Sequence, residues 1–151
     1  MKNYIPSFAL SLVLCSSAVS AADWKLVWSD EFNQAGPPDP AKWNYEEGFL
    51  RNNEAQYYTL GRGENARVED GMLVIEARKE HFKNPSFDPN ATGQARGRRG
   101  REFAEFTSAS LTTRGKATWK YGRIEVRAKL PPARGTWPAI WTLGTNGREV
   151  G

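Results

Sequence analysis

The chain has 151 residues, 39% of them hydrophobic and 25% charged, with 21 Lys+Arg against 17 Asp+Glu and a single cysteine, Cys15. One cysteine excludes a disulfide framework and a Cys-based zinc site, so stability has to come from a packed core. The basic excess is local. It sits in Arg96, Arg98, Arg99 and Arg101 of the run GQARGRRGRE, and without those four and Lys2 the balance falls to −1.

Residues 1–21 read as an export signal, with Lys2 as a short positive region, an apolar stretch over 8–14, and Val19-Ser20-Ala21 as a small-residue cleavage site. The apolar stretch is too short to cross a bilayer, so no membrane attachment is expected. Leu14 stands where a small residue would precede a lipidated cysteine, which favours plain export to a secreted or periplasmic location over a lipoprotein. Cys15 leaves with the signal. Residues 22–151 then form one unit.

Residues 24–32 (WKLVWSDEF) alternate loosely and predict a first strand, followed by a loop holding Gly36, Pro37, Pro38 and Pro40. The stretch RNNEAQYYT, Arg51 to Thr59, is polar and aromatic with no helical stripe. Asn52-Asn53 is either a turn, because Asn tolerates left-handed backbone, or a sugar-binding pair, because an amide offers donors and acceptors to hydroxyls. Asp70-Gly71 predicts a tight turn leading into a short apolar strand over 72–77. His81 is the only histidine, and no nucleophile motif accompanies it, so it reads as an exposed strand-end residue. Residues 84–100, rich in Pro, Asn and Gly, predict a solvated loop. The alternative for its arginine run is a polyanion-binding segment. A strand follows over 106–113, and Glu102 and Glu105 beside it read as surface carboxylates.

The clearest periodicity lies in residues 123–130, where Ile124, Val126, Ala128 and Leu130 alternate with Arg123, Glu125, Arg127 and Lys129. Period two predicts a half-buried antiparallel strand, ended by Pro131-Pro132 and Gly135. Trp137 and Trp141 come next. On a strand they would share a face roughly 13 Å apart at about 3.3 Å per residue, a spacing that fits either a sandwich core or two rings lining a groove for an extended ligand.

VWSDEFN, NNEAQYYT, VEDGMLVIEARKE, TSASLTTRGK and YGRIEVRAKLPPARGTWPAIWTLG occur in that order. Together they closely resemble the N-terminal part of family-16 glycoside hydrolases of the laminarinase (endo-β-1,3-glucanase) type, from about Trp24 onward. The resemblance implies an all-β fold, the N-terminal part of a jelly-roll (concanavalin-like) β-sandwich. It implies an endo-acting glycosidase that hydrolyses β-1,3- or β-1,3/1,4-linked glucan with retention, needs no catalytic cofactor, and is a monomer when complete. Its partner is the polysaccharide, with no nucleic acid and no membrane. Substrate contacts are implied for Asn53, with Asn52 behind it, and for Trp137 and Trp141. A structural calcium is implied with Glu31 and Gly71 among its ligands. Ser110 stands where many relatives carry an arginine.

The family's acids lie in Glu-x-Asp-x-x-Glu, and no such motif occurs in these 151 residues. The expectation is therefore a fragment with no catalytic residue of its own, the acids lying C-terminal to Gly151, inactive and poorly stable alone because of open sheet edges. A non-catalytic glycan-binding sandwich and polyanion binding through the loop from Arg96 to Arg101 are the other readings.

Overall fold

The computed structural model describes residues 23–145. The expected export signal lies outside them. Seven short strands and one short helix follow in order: β1 Asn44–Glu46, β2 Gln56–Tyr58, β3 Ala66–Glu69, β4 Met72–Ile75, β5 Arg78–Lys83, α1 Gly93–Arg99, β6 Phe103–Ser108 and β7 Ser110–Thr112. Strand dominates, as expected, and among the described residues no helix is long and apolar enough to cross a membrane.

The strands form three small sheets, β1-β7, β2-β6-β5 and β3-β4. β3 and β4 make a hairpin in which Glu69 pairs with Met72 across two loop residues. Asp70 and Gly71 hold φ of 51° and 71°. Positive φ at both central positions is what a two-residue hairpin turn requires, and Asp-Gly tolerates it best. β6 is the hub. It runs parallel to β2, with Tyr57 opposite Thr107, and antiparallel to β5, with a register shift between Lys79 and Phe82. Past the buried Ala109 the same run of chain becomes β7 and changes partner, pairing Ser110 with Glu46 and Thr112 with Asn44.

The apolar core is aromatic and small. Tyr57, 1% exposed, meets Phe49 edge-on at 5.3 Å and Phe82 at 5.2 Å, with Ala104 beside them. Burial, together with the neighbouring Glu47 carboxylate that its hydroxyl contacts at 3.2 Å, pushes the Tyr57 phenol up to about 12. A polar layer continues this core. Asn65 accepts from the Thr59 hydroxyl at 2.8 Å and donates to Thr107 Oγ1 and the Glu76 carbonyl, each at 3.0 Å. Thr107 in turn donates to Glu80, which Arg62 grips with both terminal nitrogens at 2.6 and 3.0 Å. Paired in this way, buried polar groups avoid the desolvation cost of unmet bonds.

Four expectations need correction. Residues 24–32 are not a strand. Trp28 packs edge-on against Trp43 and Trp119 at 5.5 and 5.3 Å, so side chains hold this segment without a backbone ladder. Residues 123–130 are not a strand either, and Ile124, Val126 and Leu130 are exposed. Alternation supplies an apolar face, but a strand also needs a neighbour for its N–H and C=O groups, and no described strand lies beside this one. Trp137 and Trp141 therefore share no sheet face. The strand expected over 106–113 starts earlier, at Phe103, and is interrupted at Ala109.

The loop over 84–100 contains α1, whose Gln, Ala and Arg are good helix formers. Gly100 closes it by donating to the Arg96 carbonyl at 2.9 Å, and arginines in the last turn suit the helix dipole.

Candidate functional site

The residues singled out for sugar contact begin in a turn. Asn52 and Asn53 hold φ of 54° and 52°, and the Glu54 N–H donates to the Arg51 carbonyl at 3.1 Å. Two central residues at positive φ with that closing bond define a type I′ turn. Gly48 and Tyr58 exchange backbone bonds of 2.9 and 3.1 Å across its base. Both asparagine side chains are exposed. Turn formation and sugar recognition do not compete here, because the turn uses the backbone and leaves the amides free to face solvent.

Arg51, which starts the turn, organises what lies around it. Its Nη2 is 2.5 Å from Glu46 Oε2, and the same oxygen accepts from the Ser110 hydroxyl at 2.6 Å. Its guanidinium lies over the Tyr58 ring at 5.6 Å and over the Trp141 ring at 5.7 Å, both inside cation–π range. The Tyr58 hydroxyl accepts from Gln56 Nε2 at 2.8 Å. Strand pairing of β1 with β7 sets Glu46 opposite Ser110, so the anchor is fixed by sheet register.

Burial pushes the Glu46 carboxyl up, but the bonds from Ser110 and Arg51 and the charges of Arg51 and Arg114 outweigh it and hold the group below its usual value. A carboxyl that stays ionised in this way is a poor general acid near neutral pH, so Glu46 serves as an anchor.

Of the four residues expected to contact substrate, Asn52 and Asn53 follow Arg51 in the turn, and Trp141 meets the Arg51 guanidinium at 5.7 Å. Trp137 does not join them by any contact of this kind and is 93% exposed. Arg51 and Tyr58 belong to the stretch read for sugar recognition, but Arg51 has no role of its own there, and Glu46 carries no signal in the sequence. Glu46 and Ser110 are 64 residues apart, and no local pattern joins them.

The expected calcium ligands are separate features. Glu31 is exposed, and Gly71 is at the tip of the β3-β4 hairpin. One carboxylate and one carbonyl fall short of the six or more oxygens calcium takes, and among the described residues no three or more His, Cys, Asp or Glu side chains are grouped so as to hold a metal ion. These residues alone do not fit the ion. Asp30, next to Glu31, has a structural task. It accepts from Trp43 Nε1 at 2.7 Å, from Lys42 Nζ at 3.2 Å and from the Phe32 N–H at 3.2 Å. Burial works against its ionised form, yet those bonds and the Lys42 charge keep its carboxyl below the usual range.

The arginine run also divides. Arg96 and Arg98 are exposed, and Arg99 lies 3.6 Å from Asp88. Arg101 faces inward, with its guanidinium 3.4 Å from the centre of the Phe49 ring and Nη2 donating to the Glu54 carbonyl at 3.0 Å. It belongs to the support of the Asn52-Asn53 turn.

Over 145 residues the chain is 50% identical to a beta-glucanase of Rhodothermus marinus, covering 91% of this chain and 44% of that protein. Over 147 residues it is 41% identical to a glucan endo-1,3-beta-glucosidase of Cryptopygus antarcticus, covering 96% and 47%. A solved structure of a non-specific endo-beta-1,3(4)-glucanase from family GH16 matches with a TM-score of 0.52 at 43% identity, over 68% of this chain and 35% of that one. No protein-family model matches. The chain thus spans under half the length of these two curated relatives. Strand content and structural likeness together define part of a jelly-roll β-sandwich. The chain belongs to the family-16 glycoside hydrolases, laminarinase type.

Proposed function

We propose that the whole protein is an exported endo-acting glycosidase that hydrolyses β-1,3- or β-1,3/1,4-linked glucan with retention. The observation that carries this reading is the 50% identity, along nearly the whole chain, to a beta-glucanase. Retention needs two carboxyl groups about 5–5.5 Å apart, one as nucleophile and one as acid/base, and no cofactor. In this reading they are carried by residues beyond Gly151, and residues 22–151 supply part of the glucan cleft. The placement of Asn52 and Asn53 directly after Arg51, and of Trp141 against its guanidinium, supports it: exposed amides suit hydroxyls, and an indole face suits the C–H face of a β-glucose ring.

The test is to express the complete coding region and assay laminarin for new reducing ends. Hydrolysis that disappears when either acid of a downstream Glu-x-Asp-x-x-Glu is replaced by Gln supports the proposal. Glucan binding without hydrolysis would make the protein a binding sandwich, and salt-sensitive binding to a polyanion with no affinity for glucan would favour the arginine run instead.

Export is part of the proposal, tested by finding the protein outside the cytoplasm with residues 1–21 removed. Glu31 and Gly71 are proposed as this chain's share of a calcium site completed by oxygens outside the described residues. A thermal midpoint of the whole protein that rises with added calcium and falls with chelator, and does so less in Glu31→Gln, would support that assignment. Equal midpoints with and without calcium would end it.

A further inference from the structure

We propose that Arg51 is the positioning residue of the glycan site, holding the Trp141 indole in place as the stacking platform for a glucose ring. The inference rests on the glucan reading above and names a residue that the reading does not need.

Among the described residues no backbone ladder reaches Trp141, and its ring is met instead by Arg51. The guanidinium is fixed at one end by Glu46 at 2.5 Å, and Glu46 is itself held by Ser110 across the β1-β7 pair. Its central carbon lies 5.6 Å from the centre of the Tyr58 ring and 5.7 Å from that of Trp141, and Tyr58 is tied by Gln56.

A cation over one face of an indole leaves the other face open, and Trp141 remains 58% exposed. The open face is where a pyranose would stack. Trp137, only four residues earlier, has no such partner and is exposed throughout. The same residue begins, through its backbone carbonyl, the type I′ turn that presents Asn52 and Asn53, so the aromatic platform and the amide pair adjoin one residue. Lysine could supply the charge but not a flat fork that bonds a carboxylate and lies between two rings at once.

The experiment uses the whole gene product and compares wild type, Arg51→Met, Arg51→Lys and Trp141→Ala, with both double variants. Steady-state kinetics on laminarin are paired with acrylamide quenching of tryptophan emission, with and without laminari-oligosaccharide. Arg51→Met is expected to raise KM about tenfold while kcat changes far less, with Arg51→Lys intermediate. Quenching should rise in Arg51→Met, and oligosaccharide should protect less.

Because Arg51 acts through Trp141, neither Arg51 variant should weaken binding further in the Trp141→Ala background. Additive losses in that cycle, or unchanged KM and quenching in Arg51→Met, would overturn the proposal. If Arg51→Met does not fold, the Arg51→Lys cycle gives the same decision. If wild type neither binds nor cleaves glucan, the functional reading fails, while the quenching comparison still decides whether Arg51 holds the indole.

Discussion

Asn53 holds a left-handed backbone that most residues adopt only at a cost of about 1–2 kcal/mol. Asn53→Ala therefore confounds two losses, the turn and the amide. Asn53→Gly separates them, because glycine keeps the turn and removes only the side chain. Asn53→Ala should lower stability by about 1 kcal/mol and Asn53→Gly by much less, as read from denaturant midpoints. Both should weaken glucan binding alike if the amide contacts sugar. Binding that survives in the glycine variant would return Asn53 to the role of a turn residue.

Glu80 makes a different prediction. Arg62 and Thr107 bond its ionised form and hold the carboxyl at about 2, against about 4.3 for an unperturbed Glu. A depressed carboxyl contributes stability that is fully present above its unfolded value and is lost as pH falls toward its folded one. The thermal midpoint should fall between about pH 5 and pH 2, and Glu80→Gln should flatten that fall. A parallel decline in the variant would assign the acid sensitivity elsewhere.

These residue roles were unevenly legible in the sequence. Asn-Asn and Asp-Gly announce themselves because αL tolerance is a property of the residue. The Thr59, Asn65 and Thr107 network is silent, because a polar residue signals burial only through partners that the fold brings from far along the chain.

At the scale of elements, the turn at Asp70-Gly71 and the apolar strand after it were readable, and pairing with Ala66–Glu69 makes them a hairpin. Residues 123–130 mark the limit of that method. Their alternation is the cleanest in the chain, yet a strand is a relation between two segments, and periodicity describes only one of them.

In the 151-residue polypeptide, trypsin should cut first at Arg123, Arg127, Lys129 and Arg134, and amides there should exchange before those of β5 and β6. Early protection of 123–130 would show that a ladder forms after all. Ile124, Val126, Leu130, Ile140 and Leu143 together leave a long apolar stretch facing solvent, which favours aggregation of that polypeptide.

For the molecule as a whole, the surface charge weakens the polyanion reading of the arginine run. Arg101 is committed to Phe49 and the turn, and Arg99 to Asp88, so the run offers fewer open cations than its composition promises. Replacing Arg96 and Arg98 with Gln should leave glucan binding unchanged across 50–500 mM salt, on the order of the range where phosphate-type contacts lose most of their affinity. A steep salt slope that vanishes in the double variant would reverse that ranking. Replacing Arg101 should behave unlike either, lowering stability through the Phe49 contact.

The change of partner at Ala109 also carries a consequence for how the chain is built. Among the described residues β1 pairs with β7, β2 pairs with β6 and meets Gly48 at Tyr58, and Glu46 is joined to Ser110 across 64 residues. A growing chain therefore exposes its first two strands until the sixth and seventh exist. The β3-β4 hairpin and the turn closed by Gly48 and Tyr58 can form early, but pairing with β6 and β7 waits on a late, long-range search that slows folding. Under the export proposed above, that delay would be useful: a polypeptide unable to complete its sheets until most of this segment has been made would stay threadable while it crosses a membrane.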